Sequence, residues 1–368
     1  MKDASATGGD NVAKNGNSNA ENSLAALITA LDAGHSLTGG ETAAAAAALA
    51  STQEPEDSKA RFLEALASKG ETASEIAGFA LAFRERALDP GLAEWAPRAI
   101  DVVGTGGDHS GGFNVSTVTT MVLACLGVPA IKHGNRGITS KCGSADIFGA
   151  LGVDLQASPE RLRRAMAELG FVFLFAPAWH PAFKAITPVR RALAERGRRT
   201  IFNILGPLLN PARPAHALIG AATVPLVEKL AGALDALGAV SGLAVHGILG
   251  PGQGIDELTT ATTNVVRGAG RLREISAEWL PDEFGLVPAP FSDLAGGTLE
   301  ENLALLEALA SGGGPRGLAD TIALNAAAAL WITGARPDVR AGLGAARETL
   351  LGGALRDKIA ATRDFFSA

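Results

Sequence analysis

The chain has 368 residues, 47% of them hydrophobic and 19% charged, and a formal net charge of −6. That length is generous for one domain and comfortable for two, with enough apolar material for a real core. The acidic balance argues against a nucleic-acid binder held by overall charge, so any anion site must be a local patch.

Two cysteines occur, Cys125 and Cys142, in no CxxC or Cys/His spacing. They give no zinc site and fit a reducing cytoplasm. No run approaches the ~18 consecutive apolar residues of a membrane span. Residues 1–22 lack the apolar stretch of a secretory signal, and their Asn, Gly and Ser content is that of a disordered tail.

From Ser23 to about Trp95 the pattern is helical throughout. "SLAALITALDAG" is amphipathic, and the alanine run of "TGGETAAAAAALAS" favours helix over every alternative. "EDSKARFLEALASKG" stops at Gly70, and "TASEIAGFALAFRERA" opens with a Thr72–Glu75 capping box. Four helices without a strand predict a small all-α domain.

At Ala99 the texture changes. "AIDVV" is a β-branched run leading into "GTGGDHSGGF"; "NVSTVTTMVLACLG" follows as a helix opened by Asn114 or Ser116, and "VPAIKHG" as a second strand. This βαβ unit predicts a parallel sheet with a ligand site at the carboxyl ends of its strands. Further predicted strands are "TIFNIL", "HALIGAAT", "SGLAVHGIL", "TTNVVRG" and "GRLREIS". Helices are predicted at "PLVEKLAGALDALG", "TLEENLALLEALASG", "LADTIALNAAAALWITG" and the long C-terminal "VRAGLGAARETLLGGALRDKIAATRDFF". The expected division is a helical domain over 23–97, rejoined by a helical, basic stretch at about 177–199, and an α/β domain over 98–176 and 200–368.

Four segments carry chemistry. In "VVGTGGDHSGGFNVST" a strand ends in a glycine turn before a helix N-terminus, where free backbone N–H groups and the helix dipole favour phosphate. No Gly-Lys-Ser/Thr closes it, so it is not a Walker A loop, and a glycine turn alone is about as often purely structural. The second strand ends in Lys132-His133 rather than a ribose-binding acid, which argues against a dinucleotide site and for a second phosphate. "IKHGNRGITSKCGSAD" then adds glycine amides, the hydroxyls of Thr139, Ser140 and Ser144, and the Lys132 cation, enough to wrap a polyanion. In "GIDELTT", Asp256 and Glu257 follow a predicted strand; two carboxylates beside a diphosphate suit Mg²⁺. In "APAWHPAFKAITPVRRAL", His180 and Arg190 are ten residues apart, close to three helical turns and so able to share one face. Arg190 suits a bidentate pair with a carboxylate.

These segments, in this order, together with "TIFNILGPLLNP", "SKGETASEIAGFA" and "ALNAAAALWITG", resemble the anthranilate phosphoribosyltransferases of tryptophan biosynthesis from about Ser23 to the C-terminus. The resemblance implies a helical domain on an α/β domain of nucleoside phosphorylase type, a homodimer and Mg²⁺ as cofactor. It assigns phosphoribosyl diphosphate to Gly104, Gly107, Asp108, Gly112, Asn114, Val115, Ser116 and Thr117, to Lys132, His133, Gly134, Asn135, Arg136, Gly137, Ile138, Thr139 and Ser140, and to Ser144. It assigns Mg²⁺ to Ser116, Asp256 and Glu257. Anthranilate falls to Asn135 and Arg190, with Gly104, His180 and Pro207 lining its channel. Lys132 and Arg190 are the implied catalytic residues. The expected activity is transfer of phosphoribosyl to the anthranilate amine, with release of pyrophosphate. The sequence departs from the pattern at His109, at Gly112 and at Thr259. About three Arg-rich residues are added before Thr200, and the loop before Asp256 is longer. A nucleoside phosphorylase of the same fold and a nucleic-acid-binding relative are the rival readings. The Lys132–Asn135 loop and Arg190 weigh against the first, and the acidic net charge weighs against the second.

Overall fold

A computed structural model describes residues 23–137, 141–250 and 252–367. The expected N-terminal tail lies outside the described residues, as do Ile138, Thr139 and Ser140.

Helices Leu24–Asp32, Gly39–Ala50, Glu56–Lys69 and Ala73–Arg84 form the N-terminal bundle. Two of them open on capping boxes, Thr38 with Glu41 and Thr72 with Glu75, which satisfy amide groups no helical turn can reach. Glu75 does more than cap. Although buried, it accepts from Leu37 N at 2.9 Å and Lys69 Nζ at 2.7 Å, tying three segments of the bundle. The segment after β3 returns here: helix Thr187–Glu195 packs on Glu56–Lys69, and the 3-10 turn Pro181–Ala185 packs on Gly39–Ala50.

Among the described residues the sheet has eight strands: β1 (Ile100–Gly104), β2 (Ala130–Gly134), β3 (Phe171–Phe175), β4 (His216–Gly220), β5 (Ser241–Gly250), β6 (Gln253–Ile255), β7 (Asn264–Gly270) and β8 (Ser276–Trp279). Their order is β3-β2-β1-β4-β5-β7-β8, with β6 folded back on β5. The first five run parallel, while β6, β7 and β8 are antiparallel. β1 to β4 are buried along almost their whole length, as a parallel sheet covered on both faces requires. The chain leaves β1 toward β2 and later returns on the other side as β4. The crevice at the carboxyl ends of β1 and β4 is therefore the topological switch point, where open α/β sheets place their ligands.

Three expectations about elements change, and one strand is added. "TIFNIL" is helical, Phe202–Leu205 followed by a 3-10 turn at Gly206–Leu208. Its apolar run is buried on several sides of a turn, with Phe202 against Phe83 and Phe183, so β-branched composition loses to tertiary packing. "GRLREIS" is a turn closed by Ile275 N to Leu272 O at 2.8 Å, and the strand starts only at Ser276. The long C-terminal helix is two, Val339–Leu351 and Ala354–Ser367, broken at Gly352–Gly353. β3, "FVFLF", is a further strand that was not among those expected. No helix among the described residues is long and apolar enough to cross a membrane.

Candidate active site

The carboxyl ends of β1, β2 and β4 face a cleft of about 400 Å³. Gly104, Gly107, Asp108, Gly112, Asn114, Ser116, Lys132, His133, Gly134, Ser144, Asp256 and Glu257 all line it, so twelve residues singled out in the sequence converge there. Val115 and Thr117 are placed differently. Both are buried in the core beneath the loop, and the Thr117 hydroxyl has no hydrogen-bond partner among the described residues.

Lys132 is the electrostatic centre. It is buried, and its Nζ donates to Val102 O at 2.5 Å and to Ser116 Oγ at 3.0 Å. Burial pulls its pKa below the usual lysine value, while Asp101, Glu257 and Asp256 push it back up. The carboxylates show the complementary effect. Glu257 is raised to about 7, chiefly by burial, although Lys132 and the Ser116 amide favour its charge. Asp256 is raised well above the usual carboxylate range, first by burial and then by Asp108 and Glu257. Two carboxylates held together at such cost are a ready cation site.

Asp256 sits in the switch-point crevice. Its Oδ2 accepts from Gly106 N at 2.7 Å, and its own amide donates to Asp108 Oδ2 at 3.3 Å. A Cβ on Gly104 would overlap the Asp256 carboxylate, and one on Gly220 would overlap its backbone carbonyl. The glycines ending β1 and β4 thus leave room for Asp256, Gly104 for its carboxylate and Gly220 for its backbone.

Mg²⁺ is the cation such a donor set fits. Among the described residues no three His, Cys, Asp or Glu side chains are arranged to hold a metal by themselves. Mg²⁺ does not need that: it is commonly held by one or two carboxylates plus substrate phosphate oxygens. Burial raises the pKa values of Asp256 and Glu257, and a cation between them would offset that cost.

Beside the cleft runs a row of rings. His133 Nδ1 lies 3.3 Å from Gly206 O, and its Nε2 is 3.2 Å from His180 Nε2. His180 stacks on Phe183 with centroids 5.2 Å apart, Phe183 meets Phe202 at 5.6 Å, and the Arg190 guanidinium lies 5.0 Å from the centre of the Phe202 ring. His180 and Arg190 thus belong to one surface, but not through a single helix. The helix breaks into Ala176–Trp179, the 3-10 turn and Thr187–Glu195, and the aromatic rings make the connection. Burial lowers His133 to about 3 and His180 to about 4, so both imidazoles are neutral at physiological pH. Arg190 is half-buried and has no carboxylate partner among the described residues. Pro207 follows Gly206 and is buried.

Asn135, Arg136 and Gly137 form the exposed lip. Asn135 Oδ1 accepts from Arg136 N at 2.8 Å, Arg136 pairs with Asp146 at 2.9 Å, and Gly137 N donates to Asp146 Oδ2 at 3.3 Å.

Several positioning residues escaped the sequence. Asp101 accepts from His133 N at 3.3 Å and Asn210 Nδ2 at 2.8 Å, and Asn210 also donates to Ile131 O at 2.8 Å. Burial raises Asp101 to about 6. The one signal was a charged residue inside the apolar run "AIDVV". Asn302 donates to Asn114 Oδ1 at 3.1 Å and accepts from Gly297 N at 2.8 Å, closing the far wall of the cleft. Nothing local in "TLEENLALL" marks it.

This pairing of a helical bundle with a sheet edge bearing glycine amides, a buried ammonium and paired carboxylates is that of a glycosyl transferase. Residues 25–87 match the "Glycosyl transferase family, helical bundle domain" and residues 96–355 its "a/b domain". The chain is 42% identical over 318 residues to an anthranilate phosphoribosyltransferase of Synechococcus sp. (strain JA-3-3Ab), covering 86% of this chain and 90% of that protein. It is 45% identical over 296 residues to one of Deinococcus radiodurans, covering 80% and 84%. The solved anthranilate phosphoribosyltransferase (TrpD) of Thermus thermophilus superposes with a TM-score of 0.83 at 39% identity, over 93% of this chain and 99% of that one. The chain belongs to the anthranilate phosphoribosyltransferase family.

Proposed function

We propose that the protein transfers the phosphoribosyl group of 5-phosphoribosyl 1-diphosphate to the amine of anthranilate, giving N-(5-phosphoribosyl)anthranilate and pyrophosphate, the second step from chorismate to tryptophan. The observation that carries this reading is the juxtaposition of the two halves of the site. A glycine-lined cleft with Lys132, Asp256 and Glu257 lies directly against the His133–His180 pair that leads to Arg190.

The mechanism follows from charge. As C1–O breaks, the electron pair leaves with pyrophosphate and positive charge grows on the ribose. Lys132 and the loop amides stabilise the leaving group most where its charge is greatest, which is selective binding of the transition state. Mg²⁺, held by Asp256, Glu257 and Ser116, would neutralise charge on the diphosphate. The fold-related enzyme of Saccharomyces cerevisiae, solved with PRPP and Mg, supports that cofactor, with a TM-score of 0.81 at 24% identity. Arg190 and Asn135 hold the anthranilate carboxylate and aim the amine at C1 from the face opposite the leaving group. The C1–N bond forms with inversion, and the amine proton passes to solvent. The aromatic amine is already a free base near neutral pH, so positioning is the larger contribution.

Ile138, Thr139, Ser140 and Ser144 complete the phosphoribosyl pocket in this reading. Segments 23–97 and 177–199 form the domain that closes on the α/β domain, and the enzyme works as a cytoplasmic homodimer. Loss of anthranilate fluorescence with phosphoribosyl diphosphate and Mg²⁺ tests the reaction. Arg190→Ala should raise the KM for anthranilate about tenfold or more, as for a lost charge-assisted hydrogen bond. No consumption by the wild type, with diphosphate-sugar binding intact, would show that the acceptor is another molecule.

A further inference from the structure

Two cations near the cleft have no part in that reaction: Lys141, which lines it, and Arg199, which stands over its glycine loop. The Arg199 guanidinium lies 3.6 Å from the point a Cβ on Gly107 would occupy, over the glycine loop that ends β1. It is exposed, and it makes no hydrogen bond or ion pair among the described residues. Its backbone, however, is anchored on both sides. Arg198 N donates to Leu193 O at 2.9 Å, and Thr200 N donates to Asn203 Oδ1 at 2.9 Å. The side chain is thus carried on a fixed turn and lacks a partner.

The local charge balance says what it waits for. Lys132 is already engaged by Val102 O and Ser116 Oγ, and Arg136 is tied to Asp146. Asp108, Asp256 and Glu257 make the floor of the cleft acidic, which opposes a polyanion unless further cations face it. In residues 184–200 six basic side chains, Lys184, Arg190, Arg191, Arg196, Arg198 and Arg199, outnumber the single carboxylate of Glu195. Of these, Arg199 is the one beside the loop. A planar guanidinium with several N–H donors matches adjacent phosphate oxygens better than an ammonium does.

We propose that Arg199 is a diphosphate-binding residue whose guanidinium closes the open side of the Gly104–Gly107 loop and donates to the leaving pyrophosphate. The proposal rests on the phosphoribosyl-transfer reading for its kinetics, but inorganic pyrophosphate tests the site directly.

Calorimetric titration of inorganic pyrophosphate in Mg²⁺ buffer into wild type, Arg199→Ala, Arg199→Lys and Arg196→Ala is the first measurement. Steady-state kinetics with each substrate varied is the second. Arg199→Ala should weaken pyrophosphate binding about tenfold, the loss typical of one charge-assisted hydrogen bond. The KM for phosphoribosyl diphosphate should rise in parallel, with the KM for anthranilate unchanged. Arg199→Lys should recover part of the loss, and Arg196→Ala should match wild type. The proposal is overturned by unchanged pyrophosphate binding in Arg199→Ala, by a loss confined to the KM for anthranilate, or by an equal loss in Arg196→Ala. If Arg199→Ala does not fold, Arg199→Lys decides: its pyrophosphate affinity must fall short of wild type. A wild type that binds pyrophosphate through Arg199 yet consumes no anthranilate would sink the acceptor assignment and leave this one standing.

Discussion

Gly104→Ala isolates the placement of Asp256 from the chemistry it serves. The Gly104 backbone is in an ordinary region, so alanine adds no backbone strain there. Its methyl would overlap Asp256 Oδ2 and lie 2.7 Å from Cγ, where ordinary contact begins at 3.4 Å. The carboxylate must therefore retreat by roughly 1 Å, a misplacement worth about 10²-fold in rate at a preorganised site. Because a side chain can swing aside, stability should fall by only about 1 kcal/mol. Gly220→Ala makes the contrast, since its methyl meets the backbone carbonyl of Asp256 and lies 3.1 Å from its Cα. That backbone cannot swing away, so overpacking should cost about 1–3 kcal/mol in addition to the activity. The assay is anthranilate fluorescence across a Mg²⁺ series, paired with urea unfolding. Gly104→Ala should need more Mg²⁺ and turn over far more slowly on a nearly intact fold. Wild-type kcat/KM with unchanged Mg²⁺ dependence would refute the argument that this glycine exists to seat the carboxylate.

Lys132→Met should hit stability and activity together. It leaves Val102 O and Ser116 Oγ without their donor and removes the cation facing Asp101 and Glu257, for about 3–5 kcal/mol of stability and about 10²–10³ in kcat. An unfolding free energy from urea titration within about 1 kcal/mol of wild type, on the scale of typical surface changes, would contradict a buried charge network. The His133–His180 pair predicts acid sensitivity. Their folded pKa values, about 3 and about 4, lie below the ordinary 6.5, so the unfolded chain holds more protons in between. Their contribution is complete above about pH 6.5 and is lost as pH falls toward 4. Asp101 and Glu257, raised to about 6 and about 7, act in the opposite sense, so the difference between wild type and His180→Phe is the quantity to follow. That difference should shrink from pH 7.5 to pH 4, and a constant value would show that the pair does not titrate as its burial requires.

The motifs were legible because their chemistry is local. A strand ending in "GTGGD" before "NVST", and another ending in "KHGN", each state a backbone geometry and a charge within a dozen residues. Gly104, Gly107, Asp108, Asn114, Ser116, Lys132, His133 and Gly134 of these motifs line one cleft. The capping box at Thr72 was legible for the same reason, whereas the one at Thr38 was not read from the sequence. "TIFNIL" misled because its β-branched composition favours a strand, whereas burial against Phe83 and Phe183 winds it into a helix. Val115 and Thr117 sit within a functional motif, yet a helix opening there turns both into the core.

By itself, the sequence determined which loops carry amides, cations and carboxylates, and hence what kind of ligand could satisfy them. The tertiary structure alone decided how those charges are balanced. Asp101 reaches Lys132 and His133 only because β1 and β2 are neighbours, and Asn302 reaches Asn114 across 188 positions of chain. Arg199 reaches the glycine loop only because the returning basic segment packs on the bundle beside it. Such contacts depend on long-range packing rather than on spacing. They set pKa values and the direction of donors, which no local pattern of residues encodes.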